Sequence, residues 1–191
     1  MTKPPSTLVD QIRLARTEGV GPIGYRRLLA RFGTTTAALE ALPALARAAG
    51  RATLDLPSRA AVEDEIASVA RCGARMLTLD DPDYPVLLSM LADAPPVLTV
   101  LGSAARLSGR TLGVVGGRNA SLNGQHMAAN LAGDLAALGL VIVSGMARGV
   151  DAAAHEAALQ AADGVTVAAV AGGIDKPYPL QHERLQARIA E

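Results

Sequence analysis

Two stretches of this sequence place glycine and arginine directly after an apolar run. The first is Gly116-Gly117-Arg118-Asn119-Ala120-Ser121, which follows residues 111–115. The second is Ser144-Gly145-Met146-Ala147-Arg148-Gly149-Val150-Asp151, which follows residues 140–143. Glycine lets a backbone come close to a bulky anion, and the free amides at a helix start point at it. Arg118, with Ser121 or Asn123 at the helix start, has the donors to hold a phosphodiester. The alternative is that the glycines only permit tight strand-to-helix packing. Two arginine-bearing loops at neighbouring strand ends favour the anion site.

Other chemistries fit less well. A dinucleotide fingerprint needs Gly-x-Gly-x-x-Gly and an acid ending the second strand. Here Gly113, Gly116 and Gly117 have a different spacing and the second strand ends in Ser144-Gly145. No Gly-Lys-Ser/Thr occurs, so neither NAD nor ATP is expected, and no cofactor is assigned. Ser144, Asp151 and His155 invite a hydrolase reading, but a nucleophile elbow wants glycine at position 142, which is Ile. Asp151 and His155 are able to pair with each other, and Asp151 also suits the positive end of a helix. His155-Glu156 and His182-Glu183 begin like a zinc-protease helix, yet Leu159 and Gln186 stand where the second His belongs. Asp80, Asp81 and Asp83 are broken by Pro82 and Pro85 and read as a turn, not a calcium loop. No metal is expected.

The elements that must position the two loops are legible as strand–helix alternation. From Thr111 the pattern predicts a strand at 111–116, a helix at 123–138 and a strand at 140–144. A helix at 151–162, a strand at 165–171 and a helix from 180 follow. In the first helix, Met127, Leu131, Leu135 and Leu138 are spaced as one buried stripe ended by Gly139. The strands are continuous apolar runs, as in a parallel sheet covered by helices on both faces. The expected class is α/β, Rossmann-like and mostly parallel. Upstream, Ser6 is placed to cap a helix of about 7–17, and Gly19-Val20-Gly21-Pro22 breaks it before a second helix through Tyr25, Leu28 and Leu29 to Phe32-Gly33. Two shorter helices, 36–41 and 44–49, complete a small all-helical domain at 1–57. A connecting helix spans 58–73, and the Rossmann-like domain occupies 74–191, opening with strands near 75–79 and 97–101. Gly19-Val20-Gly21 resembles a helix-hairpin-helix turn able to grip a DNA phosphate, with Arg26, Arg27 and Arg31 following. A plain αα-hairpin needs the same glycines.

Composition narrows the partners. Net charge is zero, but residues 1–60 hold nine Lys/Arg against four Asp/Glu, and residues 61–95 hold two against seven. A basic amino-terminal unit suits phosphate, or is simply a solvated helical surface. The aromatic residues are only Tyr25, Phe32, Tyr84 and Tyr178, too few for a platform on which bases stack. The single Cys72 excludes an internal disulfide and fits a reducing, cytoplasmic setting. No run is long and apolar enough for a bilayer, and the start lacks a signal-peptide core, so no membrane partner is expected.

These residues, in this order and spacing, resemble the bacterial DNA-processing protein A family (DprA, also called Smf). Gly19-Val20-Gly21-Pro22 and Arg31-Phe32-Gly33 look like its sterile-alpha-motif (SAM)-like domain. Asp81-Pro82-Asp83-Tyr84-Pro85, then Ala94-Pro95-Pro96-Val97-Leu98 and Gly102, look like the entry to its Rossmann-like domain. Gly116-Gly117-Arg118 with Ser121 and Gly124 is similar to its Gly-Ser-Arg loop, with Gly117 replacing serine and Asn123 preceding Gly124 where tyrosine is common. Ser144-Gly145-x-Ala147-x-Gly149-x-Asp151 with His155 is similar to the second signature, and Gly172, Asp175 and Tyr178-Pro179 complete the run. The family's later Arg-Asn-Arg segment and any winged-helix tail are not found before Glu191, so the chain is expected to stop inside the Rossmann-like domain. The resemblance implies a non-enzymatic protein that binds and protects incoming single-stranded DNA in natural transformation, helps load the RecA recombinase, and forms a homodimer when full-length. It carries Gly116, Gly117, Arg118, Ser121, Ser144, Gly145, Arg148, Gly149 and Lys176 over as phosphate-lining positions.

A rival enzyme class, nucleoside-monophosphate phosphoribohydrolases on a Rossmann-like fold, needs a Pro-Gly-Gly-x-Gly-Thr loop with a catalytic Glu and Arg. Ala171-Gly172-Gly173-Ile174-Asp175 stands in its place. A third class is a protein-binding scaffold that uses the helical domain.

Overall fold

The computed structural model of the 191-residue chain describes residues 6–50 and 53–191. The expected cap by the Ser6 side chain, and residues 51 and 52 of the expected linker, lie outside the described parts. The chain divides into two compact units, residues 1–99 and 100–191.

The first unit opens with α1 (Ser6–Arg16), α2 (Pro22–Phe32) and α3 (Thr35–Ala48). Proline at the first turn of α2 has no amide to waste there, and Thr34 caps α3 by accepting from Ala37 N at 3.2 Å. The two short helices expected here are one, and it runs through Pro43. A mid-helix proline costs about 3 kcal/mol. Ala38, Leu39 and Leu42 are buried against Leu14 and Tyr25, and that shared core keeps the helix continuous. Ser58 caps α4 (Arg59–Arg71), which leads to β1 (Ala74–Thr78), α5 (Val86–Ser89) and β2 (Val97–Leu101). Val9 and Ile12 of α1 share a core with Val62, Met76 and Val97. This packing carries α4 and β1 into the first compact unit.

The second unit alternates β3 (Thr111–Gly113), α6 (Leu122–Ala137), β4 (Val141–Ser144), α7 (Val150–Gln160), β5 (Val165–Ala168) and α8 (Glu183–Ala190). Its sheet is parallel in the order β3-β4-β5, with Thr111 opposite Val141 and Val141 opposite Val165. Right-handed crossovers that step the same way across a sheet put both helices on one face. Accordingly Ala132 and Ala136 of α6 and Ala154 and Ala158 of α7 pack with Ile142 of β4. Elsewhere on β4, Val141 is approached by Gly109, which follows the 3-10 turn Ala104–Ser108. A Cβ on Gly109 would stand 2.9 Å from Val141 Cγ2.

The stripe expected to be buried on α6 is not. Met127, Leu131 and Leu138 are 62, 54 and 74 % exposed, while Ala128, Ala132 and Ala136 face inward. The reason is the closeness of α7: a Cβ on Gly133 would sit 3.6 Å from Ala157 Cβ, so only small side chains fit between the helices. β3 is also shorter than the 111–116 run and exposed, although Val114 N still donates to Val143 O at 2.8 Å. Chain past that point has left the sheet, and Val115 is exposed.

Candidate phosphate-binding loops

Parallel strands deliver all their carboxyl ends to one edge, where ligands of open α/β sheets bind. The loops after β3, β4 and β5 therefore leave from the same edge, and every residue expected at the site lies in or beside them. The first two loops touch. Val150 N donates to Gly117 O at 3.4 Å, and a Cβ on Gly149 would fall 2.3 Å from Gly117 O and 2.8 Å from Arg118 O. Gly149 also has φ +82°, a conformation glycine adopts without penalty. A Cβ on Gly116 would meet Val150 Cγ2 at 2.6 Å, whereas Gly117 has open space beside it, its nearest neighbour being Ala120 N at 3.8 Å. Gly116 and Gly149 are thus required by packing, the second of the two roles read from the sequence. Gly117 is exposed and unencumbered.

The side chains sort in the same way. Arg118, Arg148 and Lys176 are exposed, and among the described residues none of them forms an ion pair. Ser121 caps α6, its Oγ accepting from Gly124 N at 3.2 Å, and stays at the surface. Ser144 is buried and its hydroxyl donates to Val114 O at 2.6 Å, so it ties the first two strand ends together. Gly145 is exposed, and a Cβ there would crowd Asp151 Oδ2 at 2.9 Å. The structure brings the two loops into contact at Gly116–Arg118 and Gly149–Val150, leaves both arginines exposed, and turns the Ser144 side chain inward.

Beneath the second loop lies a polar layer. Asp151, in the first turn of α7, accepts from Ala147 N at 3.2 Å. His155 is fully buried, its Nδ1 2.7 Å from Thr166 Oγ1. The Thr166 hydroxyl donates to Ile142 O at 2.7 Å, because a carbonyl only accepts. The His155 proton therefore sits on Nδ1, and its buried Nε2 has no partner. Burial holds the imidazole at a pKa of about 4, partly opposed by the Asp151 charge. The side chains of Ser144, Asp151 and His155 bond to Val114 O, Ala147 N and Thr166 Oγ1, and among the described residues no side-chain hydrogen bond links the three.

Two residues that fasten the loops escape a motif-based reading. His182 Nδ1 donates to Met146 O at 2.9 Å, and Gln186 Nε2 donates to Ile174 O at 2.8 Å. Their signal in the sequence is a pair of donors four apart at a helix start, which the zinc-motif comparison treats only as a failed metal site.

In the helical unit, Gly19 has φ +78° and Gly21 begins α2 without a side-chain cap. Arg26 Nη2 donates to Ser89 O and Leu91 O, which commits it to structure. Arg27 and Arg31 are exposed, Arg31 lying 5.1 Å from the Phe32 ring centre.

Comparison with known proteins agrees along most of the chain. Residues 75–191 match the family model for DNA recombination-mediator protein A, and residues 6–68 match the DprA-like N-terminal HHH domain. A DprA relative from Mycobacterium tuberculosis is 41% identical over 141 residues, covering 67% of this chain and 36% of that protein. The crystal structure of DNA processing protein A from Streptococcus pneumoniae superposes with a TM-score of 0.66 at 25% identity, covering 99% of this chain and 65% of that one. DNA processing protein A from Helicobacter pylori, whose structure is described for its single-stranded DNA binding mode, matches with a TM-score of 0.54 at 28% identity, over 62% of this chain and 52% of that one. The chain thus spans about a third of the Mycobacterium relative.

Proposed function

We infer a DNA-binding role from family and geometry together: the chain belongs to the DNA recombination-mediator protein A family, and its loops present cations to one sheet edge. The ligand is the sugar–phosphate backbone of single-stranded DNA, held without regard to sequence. The observation that carries this reading is a set of three exposed cations, Arg118, Arg148 and Lys176, on loops at a single carboxyl edge, none of them in an ion pair among the described residues. Backbone amides and cations fix a strand in place without reading its bases. The biological setting is DNA processing in transformation and recombination, with delivery of the strand to RecA as the downstream step and a homodimer as the working form of the longer protein. The role is non-enzymatic and cytoplasmic. Among the described residues, no helix is long and apolar enough to cross a membrane.

Binding of two unrelated homopolymeric oligonucleotides across a salt series tests the proposal. Arg118→Ala should weaken both to the same extent and make the salt dependence shallower by about one counterion. An unchanged slope removes Arg118 from the contacts. Release of free adenine from AMP, dependent on Arg118 or Asp175, would replace the binding reading with the phosphoribohydrolase one.

A further inference from the structure

The start of α8 carries two side-chain amide or imidazole donors four residues apart, and each ends on a backbone carbonyl of a different carboxyl-edge loop. His182 reaches Met146 O in the loop after β4, and Gln186 reaches Ile174 O in the loop after β5. Met146 is unusual in two respects. Its φ is +60°, left-handed backbone that a bulky side chain seldom adopts, and its side chain is fully buried. Two residues later Arg148 is exposed. The buried methionine therefore anchors the loop inward, and the left-handed step turns the following chain outward toward solvent. A left-handed residue persists only where its surroundings over-determine it. On the inner side Asp151 holds Ala147 N, and on the other His182 holds the Met146 carbonyl. Gln186 does the same for the loop that bears Lys176, whose own amide closes a turn onto Gly173 O at 3.0 Å.

We propose that His182 and Gln186 are positioning residues: together they fix the loops that carry Arg148 and Lys176 relative to one another, so that both cations meet one phosphate chain. The inference rests on the DNA-binding reading for its purpose, but the fastening itself is independent of any ligand. What matters at position 182 is an N–H aimed at a carbonyl. Asparagine supplies such a donor and leucine does not.

The full chain is compared with His182→Leu, His182→Asn and Gln186→Met by amide hydrogen exchange and by binding of a homopolymeric oligonucleotide across a salt series. His182→Leu should speed exchange at residues 145–149 about fivefold and weaken binding about fivefold, the fold-change one lost neutral hydrogen bond carries. The salt slope should stay unchanged, because no phosphate contact is removed. His182→Asn should restore both readouts to within about twofold, since the hydrogen bond is kept. Gln186→Met should speed exchange at 174–177 and leave 145–149 alone. The proposal is overturned by equal losses in the Leu and Asn variants, by unchanged exchange in Leu, or by a slope that falls as though a counterion were lost. If the Leu variant does not fold, the Asn and Met variants decide: loss in Asn, or unaltered exchange at 174–177 in Met, overturns it. Failure of the unmodified chain to bind the oligonucleotide counts against the DNA reading, and the fastening is then judged on exchange alone.

Discussion

Single glycines and one histidine separate what the loops need for shape from what they offer to a ligand. Gly149 combines φ +82° with a neighbouring carbonyl 2.3 Å from where a Cβ would lie, and that atom is backbone and unable to yield. Gly149→Ala should therefore lower unfolding stability by about 3 kcal/mol. Gly117→Ser, in open space, should change it by less than about 0.5 kcal/mol. Denaturant melts of both variants check the contrast, and equal losses would mean the two loops are not in contact. His155 makes a pH prediction. Its pKa is about 4 when folded, below the 6.5 of an exposed imidazole, so between those values the unfolded chain takes up the proton first. Stability is fully present above about pH 6.5 and declines as pH falls toward 4, by on the order of 3 kcal/mol. His155→Leu should flatten that part of the profile, measured as midpoints at several pH values, and an unaltered profile would show that another group titrates. The placement of Arg118 and Arg148 in loops after strands was legible from the sequence because glycine and charge after an apolar run is a local signal. The inward turn of Ser144 was not, because its partner Val114 lies thirty residues away.

Among the elements, α6 shows how a periodic pattern misleads. The 127, 131, 135, 138 spacing has the right period for a buried stripe, but the alanines at 128, 132 and 136 have the same period one residue on. Side-chain size alone favours the first set. The close approach of α7, which only small residues permit, selects the second, and that information sits in the alanines of another helix. Leu135 is the one large member that still borders the core. α3 escaped for a related reason, since Pro43 is a local stop signal and the core beneath it is not local. The closeness of α6 and α7 has a measurable consequence at Gly133. The backbone there is helical, and a methyl would touch Ala157 at an ordinary van der Waals distance of 3.6 Å. Gly133→Ala should thus keep the packing and gain helix propensity, raising stability by about 0.5–1 kcal/mol. A thermal melt that moves downward would mean that the helices have no room even for a methyl, and that the α6–α7 approach is tighter than described.

For the whole molecule, zero net charge means that the proposed DNA binding has little long-range attraction to draw on and rests on local cations. Fold class and strand–helix order were readable because a parallel α/β unit announces itself by alternation along the chain. The compactness of residues 1–99 rests on contacts of α1 with α4 and β1, which no local signal announces. Charge is unevenly divided between segments, and this turns the salt dependence into a count of participants. If only Arg118, Arg148 and Lys176 neutralise phosphates, the logarithm of the binding constant should fall with the logarithm of salt at a slope of about −2, from roughly 0.7 per contact on a single strand. If the hairpin of the helical unit also grips the strand, Arg27 and Arg31 add two contacts and the slope steepens to about −3.5. Arg27→Ala with Arg31→Ala should therefore leave the slope unchanged, because the glycine turn at residues 19–21 is then a plain αα-hairpin. A drop of more than about one unit in that double variant would make the helical unit a second phosphate-binding surface.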